Sequence, residues 1–170
     1  MSRKDVVRTV LPFGLLGAAF YIIYFIAIYL SDMNPVAEPK YMLAVLLAPV
    51  IVVSIYFFKK KMNGSNLRFW QGLVLGSLVT LIVTASAAVF TWLFLEMKDP
   101  KPLAELIAAK KAMLQAQKPE LIKSMGVGMY EALLKNMDMI TPFRLVWSDF
   151  LKSSVAGFFI TLVASIALRK

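Results

Sequence analysis

The sequence predicts an all-α, polytopic membrane protein with four transmembrane helices and an amphipathic helical insertion between spans three and four. Three observations predict it. Residues 11–30, 41–58 and 69–95 carry no charged side chain, and residues 153–168 form a fourth apolar run. Runs of this length cross a hydrocarbon core of about 30 Å as helices. Residues 97–141, by contrast, hold seven Lys and five acids among regularly spaced Leu and Met. At 59% hydrophobic residues and a mean hydropathy of +0.71, the apolar side chains are too many for one water-surrounded core and are destined for lipid.

Span one is expected over residues 10–30, with Pro12 in its first turns, where a missing N–H costs little. Arg3, Lys4 and Arg8 before it imitate a secretory signal. The apolar run is longer than the roughly 7–15 residues of a signal core, however, and Ser31-Asp32-Met33-Asn34-Pro35 offers no small-x-small cleavage site, so a retained span is expected. Asn34-Pro35 and Glu38-Pro39 are turn chemistry. Span two, residues 41–59, contains Pro49, which removes one backbone hydrogen bond and predicts a kink; neighbouring helices or Ser54 must absorb the freed carbonyl. Lys59-Lys60-Lys61 and Asn63-Gly64-Ser65-Asn66 then make a basic turn. Asn63-Gly64-Ser65 matches a glycosylation sequon, but a loop this basic belongs on the cytoplasmic side, so that reading is set aside. Span three, residues 69–95, has Trp70 and Trp92 about 33 Å apart along a helix, the separation of two interfacial aromatic belts.

In the insertion, Leu103, Leu106, Ile107, Met113 and Leu114 share a face opposite Glu105, Lys110 and Lys111. Lys118-Pro119 ends that helix. A second follows with Leu121, Met125, Met129, Leu133 and Met137 at steps of four, a candidate partner face, and Gly126 and Gly128 weaken its centre by about 1 kcal/mol each, so it should bend or divide there. Six of the ten Met lie in or beside this segment; thioethers can bind Cu(I), but helical spacing among Leu and Ile fits an adaptable apolar face better. Thr141 as N-cap and Pro142 at the first position start span four, residues 143–168. At roughly 40 Å this helix exceeds the hydrocarbon thickness, which places Arg144, Asp149 and Lys152 at headgroup level. They form a candidate interfacial ion or headgroup site; the plainer reading is an i,i+3 ion pair of Asp149 with Lys152.

Gly72, Gly76, Thr80, Thr84 and Ala88 place a small residue every four positions along span three, the pattern that lets helix backbones approach closely in lipid. The stripe serves either a partner helix or packing within the bundle. Gly14, Gly17 and Ala18 of span one are its expected complement.

Function classes are excluded more readily than assigned. Without Cys or His there are no disulfides, thiol nucleophiles or imidazole metal ligands. Spans one to three hold no Asp, Glu, Lys or Arg in their interiors, against proton relays and ion-coupled transport. No phosphate-binding loop, dinucleotide fingerprint or nucleophile with its base is present, so no catalytic residue, cofactor or metal is expected. The net charge of +9 sits on helix flanks and one loop, where it meets anionic headgroups; nucleic acid is not an expected partner. Three Lys and Arg precede span one, four follow span two and two follow span four, against Lys40 alone in the first connection. Both termini are therefore expected in the cytoplasm and the insertion outside.

The order of these elements, ending in Thr141-Pro142-Phe143, Asp149-Phe150-Leu151-Lys152 and the stretch from Gly157 to Arg169-Lys170, resembles a family of small uncharacterised bacterial membrane proteins known mainly from Bacteroidetes, classed as a domain of unknown function. The resemblance covers nearly the whole length and implies a bacterial source, with the inner membrane as the expected location; the elements themselves are read as one membrane domain over residues 1–170. It brings no activity and hence no functional residue. The expected function is that of a non-catalytic accessory, assembly or scaffold component in contact with lipid and with a protein partner or a second copy. The alternative is a small transporter or channel-like protein that uses backbone and hydroxyls such as Thr80 and Thr84; a lipid-modifying enzyme built on Asp149 ranks third.

Overall fold

The computed structural model describes residues 3–37, 42–62, 64 and 66–169. Glu38, Pro39, Lys40 and Tyr41 of the first connection, Asn63 and Ser65 of the basic turn, and Lys170 lie outside the described residues. The helices are α1 (Arg3–Leu30), α2 (Met42–Phe57), α3 (Phe69–Leu93), α4 (Lys101–Ala116), α5 (Lys118–Met125), α6 (Val127–Asp138) and α7 (Pro142–Leu168), with no strand among the described residues. Four stretches, Lys4–Leu30, Leu43–Lys61, Phe69–Lys98 and Pro142–Leu168, are long and apolar enough to cross a bilayer. The chain is an all-α, multi-pass membrane protein.

Within the bundle α2 and α3 each pack against all three other spans, while α1 and α7 flank them. Toward the chain termini the interior is solid: Leu47, Ile51, Ile55, Phe58, Leu75, Val79 and Val83 are buried together. Leu15, Phe20 and Ile23 of α1 and Val155, Phe159 and Val163 of α7 are more than half exposed, the face a span turns to lipid.

Three details depart from the sequence reading. First, α1 starts at Arg3, so Pro12 lies in its interior and not in its first turns. Asp5 in the first turn complements the helix N-terminus, and Val6, Val10 and Phe13 pack on the core, which extends the helix toward residue 3. Second, α2 and α3 each run on into a π-helical turn, Phe58–Met62 and Phe94–Lys98. Lys59 is therefore helical, and its ammonium donates to the Leu168 carbonyl at 3.0 Å, satisfying one of the orphan acceptors at the end of α7. Third, Ser54 donates to the Ile51 carbonyl at 2.8 Å and so does not reach the Val45 carbonyl that Pro49 leaves without its helical donor.

The insertion folds as three helices. Gly126 divides α5 from α6 at φ 84°, ψ 162°, a backbone conformation that side-chain-bearing residues avoid. Helix α4 is fastened over one end of the bundle: Leu103 and Leu106 bury against Leu95 and Leu145. Two polar residues fix its start. Asn34 donates to the Pro102 carbonyl at 2.8 Å and to Glu105 Oε2 at 3.1 Å, while its Oδ1 accepts from the Val36 and Ala37 amides at 3.0 and 3.1 Å. Asp99 accepts from the Lys101 amide at 2.9 Å and from the Tyr29 hydroxyl at 2.8 Å. These two bonds, the Lys101 amide first, hold the Asp99 carboxyl below the usual carboxylate range.

Candidate functional site

The small-residue stripe of α3 meets α7. A Cβ added at Gly72 would come within 2.8 Å of Ser165 Oγ, one at Gly76 closer than 3.0 Å to Thr161, and one at Gly157 closer than 3.0 Å to Thr80. Each glycine thus receives a hydroxyl-bearing side chain from the opposite helix, and the antiparallel register advances four residues per step on both. The Thr80 and Thr84 hydroxyls donate within their own helix to the Gly76 and Thr80 carbonyls at 2.8 and 2.9 Å. The Thr161 and Ser165 hydroxyls are buried and find no hydrogen-bond partner among the described residues. Gly14 and Gly17 approach α3 elsewhere, over Ile82 and Val83, so the complement of the stripe is Gly157, Thr161 and Ser165 of α7 and not α1. Ala18 is buried on α1, which packs against α2 and α3. Gly157, Thr161 and Ser165 repeat at steps of four on α7, a period visible in the sequence but insufficient to choose α7 over α1.

One further step of four along this register leads from Thr84, whose hydroxyl lies 3.3 Å from that of Ser154, to Ala88 and Asp149. There the helices enclose space. A cavity of about 480 Å³ opens between α1, α2, α3 and α7, with α4 also lining it. Phe25, Ala87, Ala88 and Val146 give it apolar walls, and Tyr21 and Thr91 face it with their hydroxyls hydrogen-bonded to each other at 3.0 Å. Asp149, Lys152 and Lys110 carry the charge of its lining. Asp149 and Lys152 stand 3.8 Å apart, both more than half exposed, a loose pair.

The structure divides the expected trio at the start of α7. Asp149 and Lys152 line the cavity, whereas Arg144 is exposed and does not, because five residues turn a helix by about 140° past one full revolution. Lys110 joins the pair from α4. The sequence reading set it opposite the apolar face, but Leu106 lies one turn before it, and that spacing carries it to the cavity.

On the insertion, Leu121, Leu133 and Met137 are half-buried and Met125 and Met129 are exposed. The break at Gly126 interrupts the row of four-residue steps between Met125 and Met129. No residue of α5 is buried, and on α6 only Tyr130 is, beneath Lys118, whose ammonium lies 5.8 Å from its ring centroid. Lys111 and Asp138 pair across α4 and α6.

A family model described as "Protein of unknown function (DUF4199)" matches residues 12–170. The chain belongs to that family. No curated protein and no solved structure matches it. The DUF4199 match begins inside α1 and runs through the insertion and α7, so the α3–α7 seam and the cavity both lie within the family's domain.

Proposed function

We propose that this protein is a non-catalytic accessory component of a membrane assembly, with the four spans as its anchor and α5–α6 as the element that docks a protein partner. One observation carries the reading: α5 has an apolar face and no buried residue, while the small-residue stripe that could have received a partner helix is covered by α7. The occupant of α5–α6 is read as protein because residues 118–138 carry three Lys and three acids, no net attraction to an anionic bilayer, and Met side chains adapt to a partner's shape. The solid layer of Leu47, Ile51, Leu75 and Val79 beyond the cavity supports this reading over a transporter or channel-like one, which needs a path through the bundle.

We read the membrane as a bacterial inner membrane, and the basic flanks support an orientation with both termini in the cytoplasm and the insertion outside. A single cysteine at Ser124 should react with an impermeant thiol reagent from outside; reaction only from the cytoplasmic side reverses the orientation. For the docking role, gentle detergent extraction and mass spectrometry of the full chain should find a stoichiometric membrane partner that is lost on Met125→Lys with Met129→Lys. A clean monomer, or a partner retained by that variant, contradicts the reading.

A further inference from the structure

We propose that the cavity beside Asp149 binds one acyl chain of an amphiphile whose head joins a phosphate to a primary ammonium. The site is independent of the docking face on α5–α6. Its volume of about 480 Å³ falls within the range of small-ligand sites, roughly 300–1,000 Å³, and Phe25, Ala87, Ala88 and Val146 make much of its wall apolar, beside the hydroxyl-bearing Tyr24, Thr84 and Ser153. The hydroxyls of Tyr21 and Thr91 already satisfy one another. Charge enters only through Lys110, Lys152 and Asp149. Asp149 lies about 10 Å along α7 from its start, on a helix some 10 Å longer than the hydrocarbon core, which sets it at the boundary of headgroups and hydrocarbon; Lys152 is about one turn deeper, with a side chain long enough to reach back to that boundary.

The charge pattern selects the head. Two ammonium groups and one carboxylate face a single ligand, and the 3.8 Å pair of Asp149 with Lys152 leaves both with free hydrogen-bonding capacity. A purely anionic head meets Lys110 and Lys152 but is repelled by Asp149. A purely cationic head meets Asp149 but is repelled by two lysines. An aminophosphate satisfies all three, phosphate between the lysines and ammonium at the carboxylate, as charge-assisted hydrogen bonds that weaken when any partner is removed.

The test titrates the purified full chain in detergent with monoacyl phosphoethanolamine and monoacyl phosphoglycerol, followed by native mass spectrometry. Monoacyl phosphoethanolamine should bind saturably and about tenfold more tightly than the phosphoglycerol form. Asp149→Asn should abolish that preference, and Lys110→Gln with Lys152→Gln should weaken both ligands about tenfold. Ala88→Phe, which fills the cavity from α3, should block both; Ala156→Leu fills it from α7 if the first variant does not fold. Equal affinity for the two heads, a preference that survives Asp149→Asn, or binding unaffected by either filling variant overturns the proposal. In vesicles containing diacyl phosphoethanolamine, retention of that lipid through extraction identifies the bilayer as the source. Retention of the monoacyl form alone identifies a free single-chain lipid, and retention of neither in a chain that binds no probe overturns the site.

Discussion

The two ends of the bundle use the same helices and differ in how α3 and α7 meet. Toward the termini, glycine faces hydroxyl in regular alternation and the backbones are as close as side chains allow. Toward the insertion the same register brings Ala88 to Asp149, and a charged residue opposite a small one leaves space instead of contact. Helix–helix packing in lipid is set residue by residue, so a single seam can be adhesive over three steps and open at the fifth.

Substitutions at the two ends should therefore diverge. Gly76→Leu drives a side chain into Thr161 and should lower stability by about 3 kcal/mol or prevent folding, whereas Ala88→Leu, beside the cavity, should change it by less than about 1 kcal/mol. Thermal unfolding in detergent measures both; equal losses would erase the contrast between the ends. Asn34→Ala removes two hydrogen bonds to the start of α4 and two within its own turn and should loosen the insertion by about 1–2 kcal/mol, read as faster amide exchange in α4 with α2 and α3 unchanged. Thr161→Val replaces an unpartnered buried hydroxyl by a methyl of the same shape and should stabilise the closed end by about 1 kcal/mol; a loss there would mean that the hydroxyl has a partner.

The smallest effect is one of pH. Asp99 has its carboxyl held below the usual range by the Lys101 amide and Tyr29, so it favours the docked insertion above the ordinary carboxylate value and loses that contribution as pH falls through its depressed value. Protection of the α4 amides, taken relative to their intrinsic exchange rate at each pH, should fall on acidification, and Asp99→Asn should remove the contribution of residue 99 to that change. An unaltered pH dependence in the variant would assign the change to other carboxylates.

The spans were legible in the sequence because lipid demands long uncharged helices, a constraint that acts on every residue of 11–30, 41–58 and 69–95. The stripe of Gly72, Gly76 and Thr80 was legible for the same kind of reason, as a regular period. Its complement was not. Nothing local distinguishes Gly14 and Ala18 from Gly157 and Thr161, and the choice between α1 and α7 depends on which helices the tertiary fold sets side by side. The cavity was half legible. Asp149 and Lys152 stood out as charges on an apolar helix, but Lys110 is distant in sequence and joins them only because Asn34 and Asp99 fasten α4 over the bundle.

The central claim is that the α3 stripe is closed within one chain by α7. The sequence contains no cysteine, so Thr84→Cys with Ser154→Cys places a unique thiol pair where the two hydroxyls now lie 3.3 Å apart. Oxidation in membranes should give a disulfide within a single chain that migrates as a monomer. Covalent dimers as the main product would contradict the account, because they would show the stripe facing a second copy.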